Sequence, residues 1–209
     1  MIPLKIACIV EGDGEIEAFQ ILLRRLLKVI NATVFMDERI KPIVVNRQKV
    51  MKRGELERYV EIAARKVGGK GGIIILLDAD DDCPAKLAPQ LLKIARETRP
   101  DLPIALVMAH REYEVWFLAS ASSLKGKHGL SNTFEAPVNL ESKRGAKEWL
   151  SKYMPEANPY DPMIHQLLLT REIDIELARE SSPSFDKLYR DLQAMILQLQ
   201  EMQTLLPGN

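Results

Sequence analysis

Asp78, Asp80, Asp81 and Asp82 follow directly on the apolar run Ile73-Ile74-Ile75-Leu76-Leu77. An apolar strand that ends in acid places several like charges at one edge of a sheet, and they repel unless a cation sits among them. Glu11, beside Gly12, stands just past an earlier apolar run, and Glu112 and Glu114 stand just past a later one. Glu15 lies four residues beyond Glu11. Oxygen-only donors of this kind favour hard ions, Mg²⁺ or Mn²⁺ in particular. Asp78 and Asp80 are the leading candidate ligands where the chain curls past the strand, with Asp82, Glu15, Glu112 and Glu114 as further candidates. Glu11 is a further ligand or a general acid/base. Such a site suits phosphoryl transfer, in which charge must be neutralised at the attacking and leaving oxygens.

These acids need elements that deliver them to one place. Leu4 to Val10 reads as a strand buried on both faces, as in a parallel sheet. Glu11-Gly12-Asp13-Gly14 is a tight turn. From Glu15 the apolar residues Ile16, Phe19, Leu22, Leu23, Leu26 and Leu27 recur at helical spacing. Ile40 to Val45 predicts a second strand, placed at an edge by Pro42. A basic loop with Arg47, Lys49, Lys52 and Arg53 follows, then a helix from Glu55 to Val67 stopped by Gly68-Gly69-Lys70-Gly71-Gly72. After the central strand, Cys83-Pro84 opens a helix over 85–99, and Ile104 to Ala109 is a fourth buried strand. His110-Arg111-Glu112-Tyr113-Glu114 leads into a helix carrying Trp116, Phe117 and Leu118. Alternating strands and helices predict an α/β fold, Rossmann-like, with a mostly parallel sheet flanked by helices. The functional edge of such a sheet is at the carboxyl ends of its strands, where Glu11, Asp78 and Glu112 should converge.

Beyond Ser120 the chain turns polar, with a loop expected to Pro137. Helices are expected over 142–153, 163–169, 174–179 and 184–197. The expected division is an α/β domain over 1–121 and an α-helical C-terminal portion over 122–209 packed on it.

Composition adds limits. Lys+Arg 29 balances Asp+Glu 29, so nucleic acid is not attracted by the molecule as a whole and contact requires a local patch. Arg47, Lys49, Lys52, Arg53 and Arg111 are the first candidates for phosphate contacts, joined by Lys70, Lys143 and Arg144. Two cysteines, Cys8 and Cys83, form no disulfide framework or metal-ligand spacing, and a reducing cytoplasmic setting is expected. No membrane-spanning run or signal peptide is expected.

Other motif readings fail on detail. Gly12-x-Gly14 is followed by Glu17 where a dinucleotide fingerprint needs Gly or Ala. No Gly-x-x-x-x-Gly-Lys-Ser/Thr loop accompanies the acid-terminated strand, so a P-loop ATPase does not fit. A metal–nucleotide glycosyltransferase leaves Glu11-Gly12 unexplained, and a receiver domain requires a lysine after a late strand where Ala109-His110-Arg111 stands.

Val10-Glu11-Gly12 and Asp78-Ala79-Asp80, in this order and context, resemble the Toprim fold shared by topoisomerases, bacterial primases and OLD-type nucleases. Glu15 resembles the additional acid of OLD-type members. More closely, the chain is similar to an uncharacterised family of small bacterial Toprim-like proteins, also through Cys83-Pro84, Arg111 to Ala119 and Ser182-Pro183-Ser184-Phe185. The resemblance implies a Toprim-like sheet domain with Glu11 as general acid/base and Asp78 and Asp80 as metal ligands. Asp82 and Glu15 would serve a second metal, and Glu112 or Glu114 would complete the site. Without the added domains of a topoisomerase or primase, the implied activity is a Mg²⁺-dependent nuclease or other phosphodiesterase in defence or repair. The alternative is a non-catalytic metal- or nucleotide-binding module that acts through a partner such as an ATPase.

Overall fold

The computed structural model describes residues 3–30, 35–37, 39–140 and 144–204. Its centre is a four-stranded, all-parallel sheet formed by β2 (Ile6–Val10), β4 (Ile43–Val44), β5 (Gly72–Asp78) and β6 (Ile104–Ala109) in the order β4-β2-β5-β6. The expected Leu4–Val10 strand is divided. β1 (Pro3–Leu4) leaves the main sheet and pairs in parallel with β3 (Phe35–Met36). β4 is an edge strand, as Pro42 predicts, but it keeps only two of the six expected residues.

Strand residues alternate between two cores, as the period of a pleated strand requires. Cys8, Val10, Ile74, Leu76 and Val107 face one side, and Ala7, Ile9, Ile73, Ile75, Leu77 and Leu106 face the other. The first core is covered by α1 (Glu15–Val29), by α5 (Val115–Ala119) with the short α6 (Ala121–Leu124), and by the long C-terminal α10 (Pro183–Thr204). It also takes in residues from α7 (Ala146–Lys152), α8 (Leu167–Glu172) and α9 (Ile175–Ser181), so one apolar core runs across residue 121. The second core is covered by α3 (Glu55–Lys66) and α4 (Pro84–Thr98). Helices on both faces are the arrangement that buries a parallel sheet.

The start of β5 depends on missing side chains. A Cβ on Gly71 would lie 2.3 Å from the Lys5 carbonyl oxygen, and one on Gly72 would lie 2.4 Å from Met195 Sδ of α10. The glycines after α3 therefore end that helix and also let β5 close against both β2 and α10.

Other differences are local. Asn46 accepts from the Lys49 N–H and caps a short helix, α2 (Arg47–Val50), inside the expected basic loop. α6 interrupts the loop expected after Ser120, and the helix expected over 142–153 begins at Ala146. Residues 142 and 143 lie outside the described residues. Pro162–Gln166 forms a single π-helical turn before α8, where an ordinary helix was expected from residue 163. No helix among the described residues is long and apolar enough to cross a membrane. Cys8 and Cys83 are both free thiols, and burial pushes Cys8 up to about 12.

Candidate functional site

The strand order sets the location. After β2 the chain crosses to β4 on one side and then to β5 on the other, so β2 and β5 are neighbours whose outgoing connections run in opposite directions. The crevice beyond their carboxyl ends is the topological switch point, where open α/β sheets bind ligands. Glu11 follows β2 there and Asp78 ends β5.

Three carboxylates are fixed in series on backbone amides. Glu15, in the first turn of α1, accepts the Glu11 N–H at 3.2 Å. Glu11 Oε2 accepts the Asp78 N–H at 3.1 Å. Asp78 Oδ1 accepts the Tyr113 N–H at 2.8 Å, which ties β5 to the turn after β6. Each acid is thus held by the segment that carries the next. Glu114, in that same turn, is buried; its Oε1 accepts from the Tyr160 hydroxyl at 2.9 Å and from Gln166 Nε2 at 3.5 Å. Its Oε2 has no hydrogen-bond partner and lies 3.8 Å from Lys147 Nζ in α7. Glu112 Oε2 is also buried and unpartnered.

The electrostatics follow from this crowding. Burial raises Asp78 well above the usual carboxylate range, and repulsion from Glu15, Glu114 and Glu11 adds to it. Glu15 is pushed up to about 8 by burial, with Glu114 and Glu11 as repelling neighbours and the Glu11 N–H opposing. Glu11 is raised by burial against the lowering effect of the Asp78 N–H, and Glu114 is raised by burial against the lowering effect of Lys147. For Lys147, burial works against the ammonium, but Glu114, Glu112, Asp78 and Glu15 outweigh it and its pKa is raised. Glu15 and Asp78 are thus repelled by Glu114 and Glu11, Glu11 in turn by Asp80, and Glu114 by Glu112.

Asp80, Asp81 and Asp82 lie further out, with Asp80 still close enough to Glu11 to raise it by repulsion. They form an exposed outer rim in which each aspartate meets an arginine. Arg47 Nη1 donates to Asp80 Oδ2 at 3.1 Å, and its Nη2 donates to the Ala79 carbonyl at 3.2 Å and to Asp82. Arg111 donates to Asp81 Oδ1 at 2.8 Å and to the Asp80 carbonyl at 3.1 Å, and Arg144 Nη2 reaches Asp81 Oδ1 at 2.8 Å. Asp80 and Arg111 both have positive φ, 47° and 65°, in the left-handed region that non-glycine residues seldom occupy. The Asp80 N–H donates to the Arg111 carbonyl at 2.9 Å. The ends of β5 and β6 are held together by this pair of left-handed residues.

The candidate residues thus divide. Glu11, Glu15, Asp78 and Glu114 come together, with Glu112 beside Lys147. Asp80 and Asp82, expected to share an ion with Asp78, are instead engaged by Arg47. Arg47 and Arg111, expected as phosphate contacts, are engaged by the aspartates. Lys49, within α2, and Lys52 and Arg53, just beyond it, are exposed. Lys70 precedes β5, so it lies at the amino end of the sheet, opposite the site. Lys143 lies outside the described residues. The sequence reading missed Lys147, Tyr160 and Gln166. Tyr160 lies in a proline-rich connector and Lys147 in a seven-residue helix, and neither carries a local pattern that marks it.

By residue type the inner pocket fits a hard divalent cation. Its donors are carboxylate oxygens, two of them, on Glu112 and Glu114, are buried without a hydrogen-bond partner, and the pocket holds more acid than Lys147 balances. In spacing it is not yet a coordination shell: among the described residues no three His, Cys, Asp or Glu side chains are gathered closely enough to hold an ion.

A family model described as Domain of unknown function (DUF4276) matches residues 10–193. No curated protein matches the chain, and no solved structure does. The matched span contains every acid of the pocket and of the rim.

Proposed function

The chain belongs to the DUF4276 domain family, and from the acids at its switch point we propose a divalent-cation-dependent phosphodiesterase that acts on nucleic acid, in the manner of the Toprim nucleases it resembles. The observation that supports this reading most is the set of buried Glu15 and Glu114 with part-buried Glu11 and Asp78, delivered by three strand ends and all raised by loss of solvent, with repulsion from neighbouring acids added. A fold gains nothing in stability from gathering such charges; a bound cation relieves them.

Asp78 and Glu11 would hold Mg²⁺ or Mn²⁺, with Glu15 and Glu114 behind them. The ion would supply neutralisation of the charge that develops on the phosphoryl oxygens. Glu11, raised toward neutrality by burial, is suited to take up a proton and return it. Lys147 adds a fixed positive charge on the Glu114 side. Arg47, Arg111 and Arg144 stand where phosphates on either side of the scissile bond would pass. Their present partners are exposed aspartates, and exposed ion pairs contribute only about 0–1 kcal/mol each, so a phosphate can replace a carboxylate at little cost.

The second reading is a non-catalytic module that binds a metal or nucleotide and acts through a partner such as an ATPase. Incubation of single- and double-stranded DNA and RNA with the protein and Mg²⁺ or Mn²⁺ separates the two. The enzymatic reading expects cleavage that Glu11→Gln and Asp78→Asn abolish while both variants stay folded. Absence of cleavage by the wild type on every substrate and with either metal would leave the module.

A further inference from the structure

We infer that the hollow between α1, α8 and the segment leading into β4 binds a phosphomonoester. It is about 220 Å³, smaller than the pockets that hold drug-sized ligands but roomy enough for one phosphorylated sugar. Its charged lining is Lys41, Arg171, Arg24 and Glu17. Three cations thus face one carboxylate in a chain whose charges balance overall.

Two of these cations are unpaired. Among the described residues, neither the Lys41 ammonium nor the Arg171 guanidinium makes a hydrogen bond or an ion pair. The described acids nearest them in sequence are engaged elsewhere. Glu172 accepts from Lys127 Nζ at 2.7 Å, and Asp37 accepts from Arg39 through both oxygens at 2.8 and 2.7 Å. Both cations nevertheless stand on backbone that is held in place. Gln20 Nε2 donates to the Ile40 carbonyl, next to Lys41, at 3.1 Å, and Lys66 Nζ donates to the Lys41 carbonyl at 2.8 Å. Arg25 donates to the Thr170 and Ile173 carbonyls, on either side of Arg171, at 2.7 and 2.6 Å. Like charges brought to one hollow by fixed backbone repel unless an anion sits between them.

The charge count selects the anion. Within the lining Arg24 offsets Glu17, which leaves the two charges of Lys41 and Arg171. A phosphomonoester carries about −1.5 to −2 at pH 7, whereas a phosphodiester inside a strand carries a single charge. Glu17 can then accept a hydroxyl of the attached sugar, which a bare inorganic anion does not offer. Glu17 and Arg24 lie two and nine residues past Glu15 on α1, about 3 and 14 Å along the helix. The hollow is thus separate from the acids but within reach of the end of a strand bound at them. The phosphate comes from such a strand end or from a free phosphorylated sugar. The first source rests on the phosphodiesterase reading; the site itself does not.

Ribose 5-phosphate is titrated into the protein by calorimetry in EDTA, so that no metal-dependent cleavage intervenes, with ribose as the phosphate-free control. Oligonucleotides with a phosphate at either end are then compared with the same strands ending in hydroxyls. The wild type is expected to bind ribose 5-phosphate and not ribose. Lys41→Gln combined with Arg171→Gln, both at exposed positions that leave the fold intact, should weaken that binding by about tenfold or more. Lys93→Gln, which removes an exposed charge on α4 across the sheet, should leave it unchanged. A strand that gains affinity from its terminal phosphate, and loses the gain in the double variant, identifies a strand end as the source. Ribose 5-phosphate binding without that gain identifies a free phosphorylated sugar. Wild type that binds neither ribose 5-phosphate nor a terminal phosphate overturns the proposal. So does binding untouched by the double variant, or weakened as much by Lys93→Gln. Binding with the expected pattern but no cleavage of any nucleic acid keeps the hollow and removes the phosphodiesterase reading. Metal-dependent cleavage without phosphomonoester binding does the reverse.

Discussion

Lys147 Nζ lies 3.8 Å from Glu114 Oε2, so an ammonium from the helical C-terminal half compensates a carboxylate that is otherwise buried at the end of the sheet. Lys147→Met keeps the stem and removes the charge. Glu114, when ionised, is then left without a cation beside it, and its pKa rises further. The variant should lose on the order of 1–2 kcal/mol at pH 8, less than a fully buried pair because the lysine is 42% exposed. The loss should shrink as pH falls, since protonation of Glu114, favoured by its raised pKa, removes the need for a cation. Urea unfolding at pH 8 and at acid pH measures the difference.

Glu15 gives the pH dependence its sign. Its folded pKa, about 8, lies above its unfolded value of 4.5, so the native state binds more protons than the unfolded chain between those values. Stability from this group is fully present below about pH 4.5 and is lost as pH rises through about 8. Glu11, Asp78 and Glu114 are shifted in the same direction and deepen the slope. Glu15→Gln keeps an acceptor for the Glu11 N–H and removes the charge. It should raise stability at pH 8 by on the order of 2 kcal/mol and change it little at pH 4, read as urea midpoints across that range.

A cation in the inner pocket competes with protons for the same oxygens. Mn²⁺ is therefore expected to raise the unfolding temperature more at pH 8 than at pH 5.5. Asp78→Asn should abolish the increase. Asp82→Asn, at the arginine-paired rim, should leave most of it. Equal loss in the two variants would place one ion between Asp78 and the rim, the shared site that the sequence alone leads one to expect.

Gly71→Ala sets a Cβ against the Lys5 carbonyl at 2.3 Å. That oxygen accepts the Gly72 N–H at 2.9 Å, so it cannot retreat without opening the ladder between β2 and β5. A loss of about 1–3 kcal/mol is expected in thermal or urea unfolding. Because β2 and β5 carry Glu11 and Asp78, Mn²⁺ stabilisation should weaken with it.

Much of the frame was readable from local pattern. Ile104–Ala109 is the strand that its apolar run predicts, and β5 exceeds the predicted Ile73–Leu77 by one residue at each end. Acid at the strand ends marked Glu11 and Asp78, because composition changes abruptly there. The division between pocket and rim was not readable. Asp78 and Asp80 look alike in sequence; what separates them is the positive φ of Asp80 and an arginine 33 residues earlier in the chain. The ribbon of β1 and β3 was missed because two-residue strands carry no period. Lys147 and Tyr160 reach Glu114 only through tertiary packing.

The π-helical turn at Pro162–Gln166 sits against α1, where a Cβ on Gly14 would lie 2.4 Å from Gln166 Oε1. A π turn is an α-helix with one surplus residue. Removing that residue would return the segment to regular winding and swing Gln166 by about 100° relative to the chain before it. Gln166 could not then face Glu114 while Tyr160 kept its place. The reading frame of this helix is thus set to a single residue, and an insertion or deletion between 160 and 166 would be felt at the acids even though it changes none of them.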